Sequence, residues 1–558
     1  MDVPYIEMNL GFKIRNIWDT ELCETCIQGV RLNIKQPKGG VDPNSYHGKL
    51  LKKHGTALEY VLPRYKFPKP DKSTRLNFID RPVGRKFTHK EIEYAGDDTK
   101  YLPKIQKVQE YILTRDKQLE VALLENKVAE RYHDMKVVGI GFDAAFWKQN
   151  AIQNNKEFYD RISKLPRDVN NWNSEKQVKA YFRAQGIHIP TYDDLDKIYL
   201  QTRNKTLGDF IATRELSKSV SSYGLNWFNE NYIDPDGRIR CDITQIINTG
   251  RNSMSNPNLQ QLPGNGNNDP LRLKVLKMIL KEDKKLPQHR RAFIPRKGCV
   301  FVIGDFSGQE IGIMAAASDE KLWIDALLRG EDVHALTASI IDPVSWNEAR
   351  EKGCTFPKKC KCKGHKQLRE PAKINNFMLA YGGGPQRFAD YTGTDLITAS
   401  AYVGAHKRVI PRLTNYLLKN GRDAIASGVS FSADPYQRRR LLTGEEDWQV
   451  RNQGMNNPIQ AAGANMLKLA MASLPWEYRI VLVIHDEIIC EVPTAQAMKC
   501  AKILKTVMEK SADYITGIKG LIRVQPKIQM NIMKDLTPCK TINQIKNTSL
   551  CYEPKIAA

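Results

Sequence analysis

The chain has 558 residues, of which 41% are hydrophobic, and it carries a formal net charge of +23 at pH 7. This length exceeds one ordinary domain, and the basic balance favours a polyanionic partner, although general solubility would explain it equally well. The 11 cysteines are scattered, and neither an apolar leader nor a membrane-spanning run is seen, which predicts a reduced, cytoplasmic protein without a signal peptide and argues against a secreted or membrane protein.

Residues 102–248 have a helix-rich pattern. Charged and apolar residues repeat with helical periodicity from Lys104 to Asp134, and Asn173-Ser174 followed by Gln177 indicates a capped helix start.

The segment VFVIGDFSGQEIGIMAA, residues 300–316, predicts a buried strand that delivers Asp305 to its carboxyl end. The chain then turns through Ser307-Gly308 into a helix that carries Glu310. A strand-end aspartate is often a turn former or a helix cap, so Asp305 alone does not indicate a metal site.

The segment CTFPKKCKCKGH contains four side chains suited to zinc, which are Cys354, Cys360, Cys362 and His365. A zinc knuckle needs four such ligands in a closed tetrahedron. The spacing matches no standard zinc pattern, so the alternative is a basic loop with free thiols.

The segment REPAKINNFMLAYG predicts a helix with Pro371 in its first turn. Residues spaced by four form one slanted stripe on a helix, and here they are Arg369, Lys373, Phe377 and Tyr381. Two cations followed by two aromatic rings suit a triphosphate with a base stacked beyond it. An amphipathic helix with both rings in the core is the alternative, but it does not explain why the cations share the stripe.

The segment VLVIHDEIIC, residues 481–490, predicts a hairpin whose turn exposes His485, Asp486 and Glu487. Two apolar strands that each present an aspartate could share divalent cations roughly 3.5–4 Å apart, which is the arrangement for in-line displacement at phosphorus. We therefore expect Asp305 and Asp486 to lie close together.

These three stretches resemble the three motifs of the family A DNA polymerases of the phage and bacterial type. Motif A, D-x-S-x-x-E, is matched by Asp305, Ser307 and Glu310; motif B, R-x-x-x-K-x-x-x-F-x-x-x-Y-G, by residues 369–382; and motif C, H-D-E, by residues 485–487. The similarity runs from about Glu125 to about Ile532. It implies an α/β (α+β) right-hand fold of palm, fingers and thumb, with an antiparallel palm sheet.

The resemblance also implies a domain order. We expect a partial RNase H-like 3′-5′ exonuclease segment over 1–102, connector and thumb over 103–250, palm with motif A over 251–345, fingers with motif B over 346–435, and palm with motif C and a C-terminal tail over 436–558.

The activity implied is template-directed addition of deoxynucleotides to a primer 3′ end in phage or bacterial DNA replication. Asp305 and Asp486 would hold two Mg²⁺ ions, and Lys373 would be the general acid to the leaving group. Glu487 would support a metal, with a solvated turn as the equal alternative.

The family resemblance further assigns the substrate contacts. The residues predicted to contact the nucleotide are Arg290, Glu310, His334, Arg369, Lys373, Phe377 and Tyr381. Glu310, within reach of Tyr381, would occupy the space of a ribose 2′-hydroxyl, and Phe377 implies poor use of dideoxynucleotides. Contacts to primer-template DNA fall to Arg251, Gln260, Asn456, Gln460 and His485.

The N-terminal segment resembles the back half of a proofreading exonuclease. Tyr94 and Asp98 match its third motif, Y-x-x-x-D, but we expect no acidic D-x-E pair at a strand end, where the first motif has it. A metal site without most of its carboxylates cannot hold two cations, so we expect no proofreading by this chain alone. Either a separate chain completes the domain or the segment is scaffold, and a separate processivity factor remains open.

Two other functions stay in view. A phage-type RNA polymerase shares both aspartates but lacks the glutamate at Glu310. A catalytically dead DNA-binding relative is disfavoured because Asp305, Asp486 and Lys373 are all present.

Overall fold

The computed structural model describes residues 17–29, 52–68, 73–78, 82, 84–229, 232–262, 270–280, 289–442, 446–533, 536, 538–548 and 551–554. The expected N-terminal segment and C-terminal tail are therefore described only in part. Within these ranges, no helix has both the length and the apolar composition that crossing a bilayer requires.

Helices dominate the first half, as predicted for residues 102–248. They are α1 (Thr20–Gln28), α2 (Leu58–Arg64), α3 (His89–Thr99), α4 (Leu102–Arg115), α5 (Leu119–Val138), α6 (Ala144–Ile162), α7 (Glu175–Ala184), α8 (Leu195–Thr202), α9 (Lys205–Ser221), α10 (Asn226–Asn229) and α11 (Pro270–Leu280). Four short strands pair antiparallel, first with second and third with fourth; they are β1 (Ile140–Gly141), β2 (Arg238–Ile239), β3 (Asp242–Thr244) and β4 (Ser253–Ser255).

The second half adds a larger sheet to the helices. Its helices are α12 (Gln309–Ser318), α13 (Lys321–Leu328), α14 (Val333–Ile341), α15 (Pro343–Glu348), α16 (Lys363–Ala380), α17 (Pro385–Thr392), α18 (Leu396–Val409), α19 (Pro411–Ser427), α20 (Asp447–Ser473), α21 (Ala497–Thr516) and α22 (Ile542–Thr548). Its strands are β5 (Cys299–Asp305), β6 (Val429–Phe431), β7 (Arg439–Leu441), β8 (Arg479–Ile484), β9 (Glu487–Pro493), β10 (Lys527–Gln529) and β11 (Cys551–Tyr552).

Five of these strands form one antiparallel sheet in the order β11, β10, β5, β9, β8. β5 and β9 pair over seven residues, from Cys299 opposite Pro493 to Asp305 opposite Glu487. The apolar runs of β5, β8 and β9 are buried. α21 packs on β5, and α5 packs on β8. Each fully buried Val, Ile or Leu contributes about 1.5–3 kcal/mol.

Gly304, the residue before Asp305, lets α21 approach the strand closely. A Cβ atom at this position would lie 2.5 Å from the Sδ atom of Met508 and 3.0 Å from the Cδ2 atom of Leu504. The packing of α21 thus fixes the strand immediately before the predicted metal-binding carboxylate.

The prediction that Pro371 lies in the first turn of its helix was wrong. α16 begins at Lys363, and Pro371 lies inside the helix. An interior proline removes one backbone donor and usually costs about 3 kcal/mol. Packing sustains the preceding turns, because Leu368 and Ala372 share a small core with Trp346.

The described residues between 17 and 101 include α1, α2, α3, a helical turn at 52–54 and a 3₁₀ helix at 73–78, and they include no strand. Asp19 caps α1, because its carboxylate accepts from the backbone amides of Glu21 and Leu22, each at 2.9 Å. The expected RNase H-like segment over 1–102 therefore stays a prediction.

Candidate active site

Asp305 and Asp486 lie at the same end of the central sheet. Asp305 is the last residue of β5 and pairs with Glu487, the first residue of β9, while Asp486 directly precedes Glu487. Opposite residues of an antiparallel pair have Cα atoms about 4.5–5.5 Å apart, so the two aspartates are near neighbours. Asp305 is exposed and Asp486 is half-buried.

A two-residue turn joins β8 to β9 and presents the motif C side chains. Ile484 pairs with Glu487, which leaves His485 and Asp486 as the turn. His485 has a φ of 57°, a conformation that few residues other than glycine adopt. Its side chain is exposed at the tip of the hairpin.

Glu487 is not a solvated turn residue. Its side chain is 8% exposed and lies with Oε2 3.7 Å from the Nη1 atom of Arg290. Arg290 is buried, and its Nη2 atom donates to the carbonyl of Leu262 at 3.3 Å. Burial lowers the pKa of Arg290, and Glu487 opposes that shift. The ion pair thus ties Arg290 to the hairpin that carries Asp486.

Glu310 and Tyr381 have different partners in this structure. Arg251 donates from Nη2 to the Oε1 atom of Glu310 at 2.9 Å. Gln460 donates from Nε2 to the hydroxyl of Tyr381 at 3.0 Å. The predicted contact between Glu310 and Tyr381 is not seen, because each of the two is hydrogen-bonded to a residue predicted to bind DNA.

The two cations of motif B, Arg369 and Lys373, lie on α16, beside α14. Arg369 donates from Nε to Asp332 Oδ2 at 2.7 Å, and the other carboxylate oxygen of Asp332 caps α14 by accepting from the amides of His334 and Ala335. Burial would raise the pKa of Asp332, but Arg369 and the amide of Ala335 hold it below its usual value. Lys373, one turn further along α16, is exposed.

His334 belongs to a chain of hydrogen-bonded side chains that was not predicted from the sequence. Its Nδ1 atom accepts from Asn376 Nδ2 at 2.8 Å, and Asn376 Oδ1 accepts from His406 Nε2 at 2.5 Å. Burial lowers the pKa of His334 to about 4, with Arg369 adding to the effect, and burial lowers the pKa of His406 to about 3. Since an amide nitrogen only donates, neutral His334 carries its proton on Nε2. The one indication of these contacts in the sequence is the pair Asn375-Asn376 within a largely apolar helical stretch.

The other predicted contacts lie on exposed or half-buried faces. Phe377 is half-buried, with its ring centroid 5.7 Å from that of His334. Asn456 and Gln460 are spaced four apart on α20, and so they share one face. Gln260 lies in a 3₁₀ turn, where its backbone amide donates to the side-chain oxygen of Asn258 at 3.1 Å.

The predicted exonuclease residues Tyr94 and Asp98 lie on α3. The ring of Tyr94 packs against Phe78, with centroids 5.6 Å apart.

The four predicted zinc ligands come together at the start of α16. One ligand atom from each of Cys354, Cys360, Cys362 and His365 lies within 4.8 Å of the others. All four residues were predicted as ligands, although their spacing matches no standard zinc pattern.

Comparison with known proteins agrees with this architecture. The family described as DNA polymerase family A matches residues 147–534. DNA polymerase I of Synechocystis sp. is 28% identical over 340 residues, which cover 56% of this chain and 31% of that protein. DNA polymerase I of Lactococcus lactis subsp. lactis is 23% identical over 449 residues, which cover 74% and 46%. The chain thus spans less than half the length of these curated relatives.

A solved structure shows the same fold. It is described as "POL domain of Pol1 from M. smegmatis complex with DNA primer-template and dNTP" and has a TM-score of 0.71 at 19% identity, covering 93% of this chain and 83% of that chain. The mixed helix and sheet architecture is therefore that of a right-hand polymerase domain.

Proposed function

The chain belongs to the family A DNA polymerases, and from this we propose that it is a template-directed DNA polymerase that adds deoxynucleotides to a primer 3′ end by two-metal-ion nucleotidyl transfer. The observation that carries the proposal is the register of β5 and β9, in which Asp305 lies opposite the residue that follows Asp486. The bacterial relatives support a role in phage or bacterial DNA replication.

Asp305 and Asp486 are the residues that would hold Mg²⁺. Carboxylate oxygens are the ligands that this hard cation prefers, and both residues lie where the sheet meets solvent. When bound, two Mg²⁺ ions would lower the pKa of the primer 3′-hydroxyl and neutralise charge on the triphosphate. Glu487 would keep the hairpin in place through its ion pair with Arg290.

The incoming triphosphate would meet the stripe on α16. Lys373 is exposed there and would neutralise the phosphates and donate a proton to the leaving pyrophosphate. Arg369 would leave Asp332 and bind phosphate oxygens instead. Neutral His334 would donate a hydrogen bond from Nε2 to a phosphate oxygen and keep its proton. Phe377 and Tyr381 would stack against the base and sugar.

The DNA would bind along Arg251 and Gln460. Arg251 is hydrogen-bonded to Glu310 and Gln460 to Tyr381, so binding of the duplex would rearrange both contacts. The remaining minor-groove contacts would be made by Gln260 and Asn456, since the acceptors in that groove are nearly independent of sequence. The primer end would be contacted by His485.

We also propose that this chain does not proofread alone. Asp19-Thr20-Glu21 has the D-x-E form of the first exonuclease motif, but the carboxylate of Asp19 caps α1 by accepting from the amides of Glu21 and Leu22. Incubation with a mismatched primer and Mg²⁺ should leave the terminal nucleotide in place. Efficient removal of that nucleotide by the purified chain would refute this part.

Primer extension tests the proposed activity. A primed template with deoxynucleotides and Mg²⁺ should be extended, and a chelator should stop the reaction. Ribonucleotides without a primer should give no product. Extension that persists in the chelator, or RNA made without a primer, would overturn the proposal.

A further inference from the structure

Residues 354–365, which lead from the loop after α15 into the first turn of α16, gather four metal-binding side chains into one cluster. In the tertiary structure, the ligand atoms of Cys354, Cys360, Cys362 and His365 all lie within 4.8 Å of one another. All three cysteines are free thiols.

The spacing of these atoms fits a tetrahedral ion. Zn–S bonds of about 2.3 Å and Zn–N bonds of about 2.0–2.1 Å imply S···N separations of about 3.6 Å in a tetrahedron. The His365 Nδ1 atom lies 3.2 Å from Cys360 Sγ and 3.5 Å from Cys354 Sγ. Small shifts would bring the ligand set to bonding distances.

His365 is oriented as a metal ligand would be. Its Nε2 atom lies 2.8 Å from the backbone carbonyl of Trp346, which can only accept, so Nε2 carries the proton. The lone pair on Nδ1 then faces the thiols. The imidazole is 1% exposed and stacks on the Trp346 ring at 4.0 Å, which fixes its plane.

The alternative of a basic loop with free thiols accounts poorly for this arrangement. Cys362 and His365 are buried, whereas the four lysines of the segment are exposed; these are Lys358, Lys359, Lys361 and Lys363. Cys354 and Cys360 are half-buried. The segment thus separates the metal-binding side chains, which are buried or half-buried, from the cations, which face solvent.

We propose that Cys354, Cys360, Cys362 and His365 bind one structural Zn²⁺ ion. Four protein ligands close the coordination sphere, which is typical of a structural rather than a catalytic site. Binding displaces the thiol protons, because zinc takes thiolate ligands.

The ion would brace the nucleotide-facing part of α14 and α16. The carbonyl of Pro357, within the segment, accepts from the amide of Asp332 at 2.9 Å, and Asp332 pairs with Arg369. This consequence rests on the proposed polymerase function, whereas the metal site itself does not.

Metal analysis of untagged protein, expressed with added zinc, tests the site. Elemental analysis should find about one zinc per chain. Cys360→Ser and Cys362→Ser should lose most of it, and Cys299→Ser, a half-buried cysteine on β5, should keep it. Zinc well below one equivalent in the wild type, or full zinc in both cluster variants, overturns the proposal.

A second measurement covers variants that fail to fold. In the wild-type protein, a mercurial thiol reagent should release one zinc to a chromogenic chelator. Co²⁺ added to the apoprotein should give the thiolate charge-transfer bands of a tetrahedral site. A folded apoprotein without these bands contradicts the proposal. Neither readout needs DNA or nucleotide, so failure of the polymerase proposal would be seen separately.

Discussion

Arg251 donates to Glu310, and Arg369 donates to Asp332, so two of the predicted substrate-binding cations are paired with carboxylates of the chain itself. The Arg251–Glu310 pair is partly exposed, at 31% and 22%. An exposed pair of this kind is worth only about 0–1 kcal/mol. DNA can therefore replace Glu310 as the partner of Arg251 at little cost.

Glu310 should determine the preference for deoxyribonucleotides over ribonucleotides. We expect Glu310→Ala to raise ribonucleotide use relative to deoxynucleotide use by about 10–100-fold, because the space of a 2′-hydroxyl is opened. Single-nucleotide insertion measures the ratio of kcat/KM for the two sugars. Glu477→Ala, an exposed carboxylate before β8, should leave that ratio unchanged. An unaltered ratio in Glu310→Ala would remove Glu310 from sugar selection.

Three histidines should make stability depend on pH. Burial lowers the pKa values of His289 and His334 to about 4 and that of His406 to about 3. Unfolded histidines bind protons near pH 6.5, so between about pH 6.5 and 4 the unfolded chain holds more protons than the native one. We expect Tm to fall as pH is lowered from 7 to 5. A Tm that stays constant or rises over this range would contradict the buried, neutral state of these rings.

At the scale of elements, periodicity was enough for the strand that ends at Asp305 and for the hairpin at Asp486, because apolar runs broken by polar residues determine both. It failed at the start of α16, where tertiary packing outweighs the local effect of Pro371. Periodicity could not predict contacts such as that between His334 and Asn376, because these depend on how the helices pack against each other.

Gly463 allows α20 to pack against α12. A Cβ atom there would lie 2.7 Å from the Oε1 atom of Gln309. We expect Gly463→Val to cost about 1–3 kcal/mol by overpacking, seen as a lower denaturation midpoint. Gly404→Ala, in the interior of α18 with its nearest contact at 3.7 Å, should be neutral or stabilising. Equal effects of the two changes would argue against close packing at Gly463.

Across the whole molecule, one buried carboxylate links distant parts of the chain. Glu125 on α5 is fully buried and accepts from Lys468 of α20 at 2.7 Å, from Gln245 at 2.6 Å and from Arg438. Burial would raise the pKa of Glu125, but Lys468 and Arg438 hold it below its usual value. This cluster joins the predicted connector to the predicted palm.

Removal of Glu125 should destabilise the chain strongly. Glu125→Ala leaves Lys468 and Arg438 buried without a counter-charge, which costs about 3–5 kcal/mol. Glu120→Ala, an exposed change on the same helix, should stay within about 0.5 kcal/mol of the wild type. Denaturant unfolding compares the two, and equal midpoints would contradict a structural role for the cluster.

The central claim is that Asp305 and Asp486 together hold the metal ions of nucleotidyl transfer. Primer extension and duplex binding by Asp305→Ala and Asp486→Ala, with Asp423→Ala on the exposed face of α19 as control, test it most directly. We expect each active-site variant to lose nucleotide addition while duplex binding stays near wild type, and the control to keep both. Retained incorporation by either aspartate variant would contradict the account.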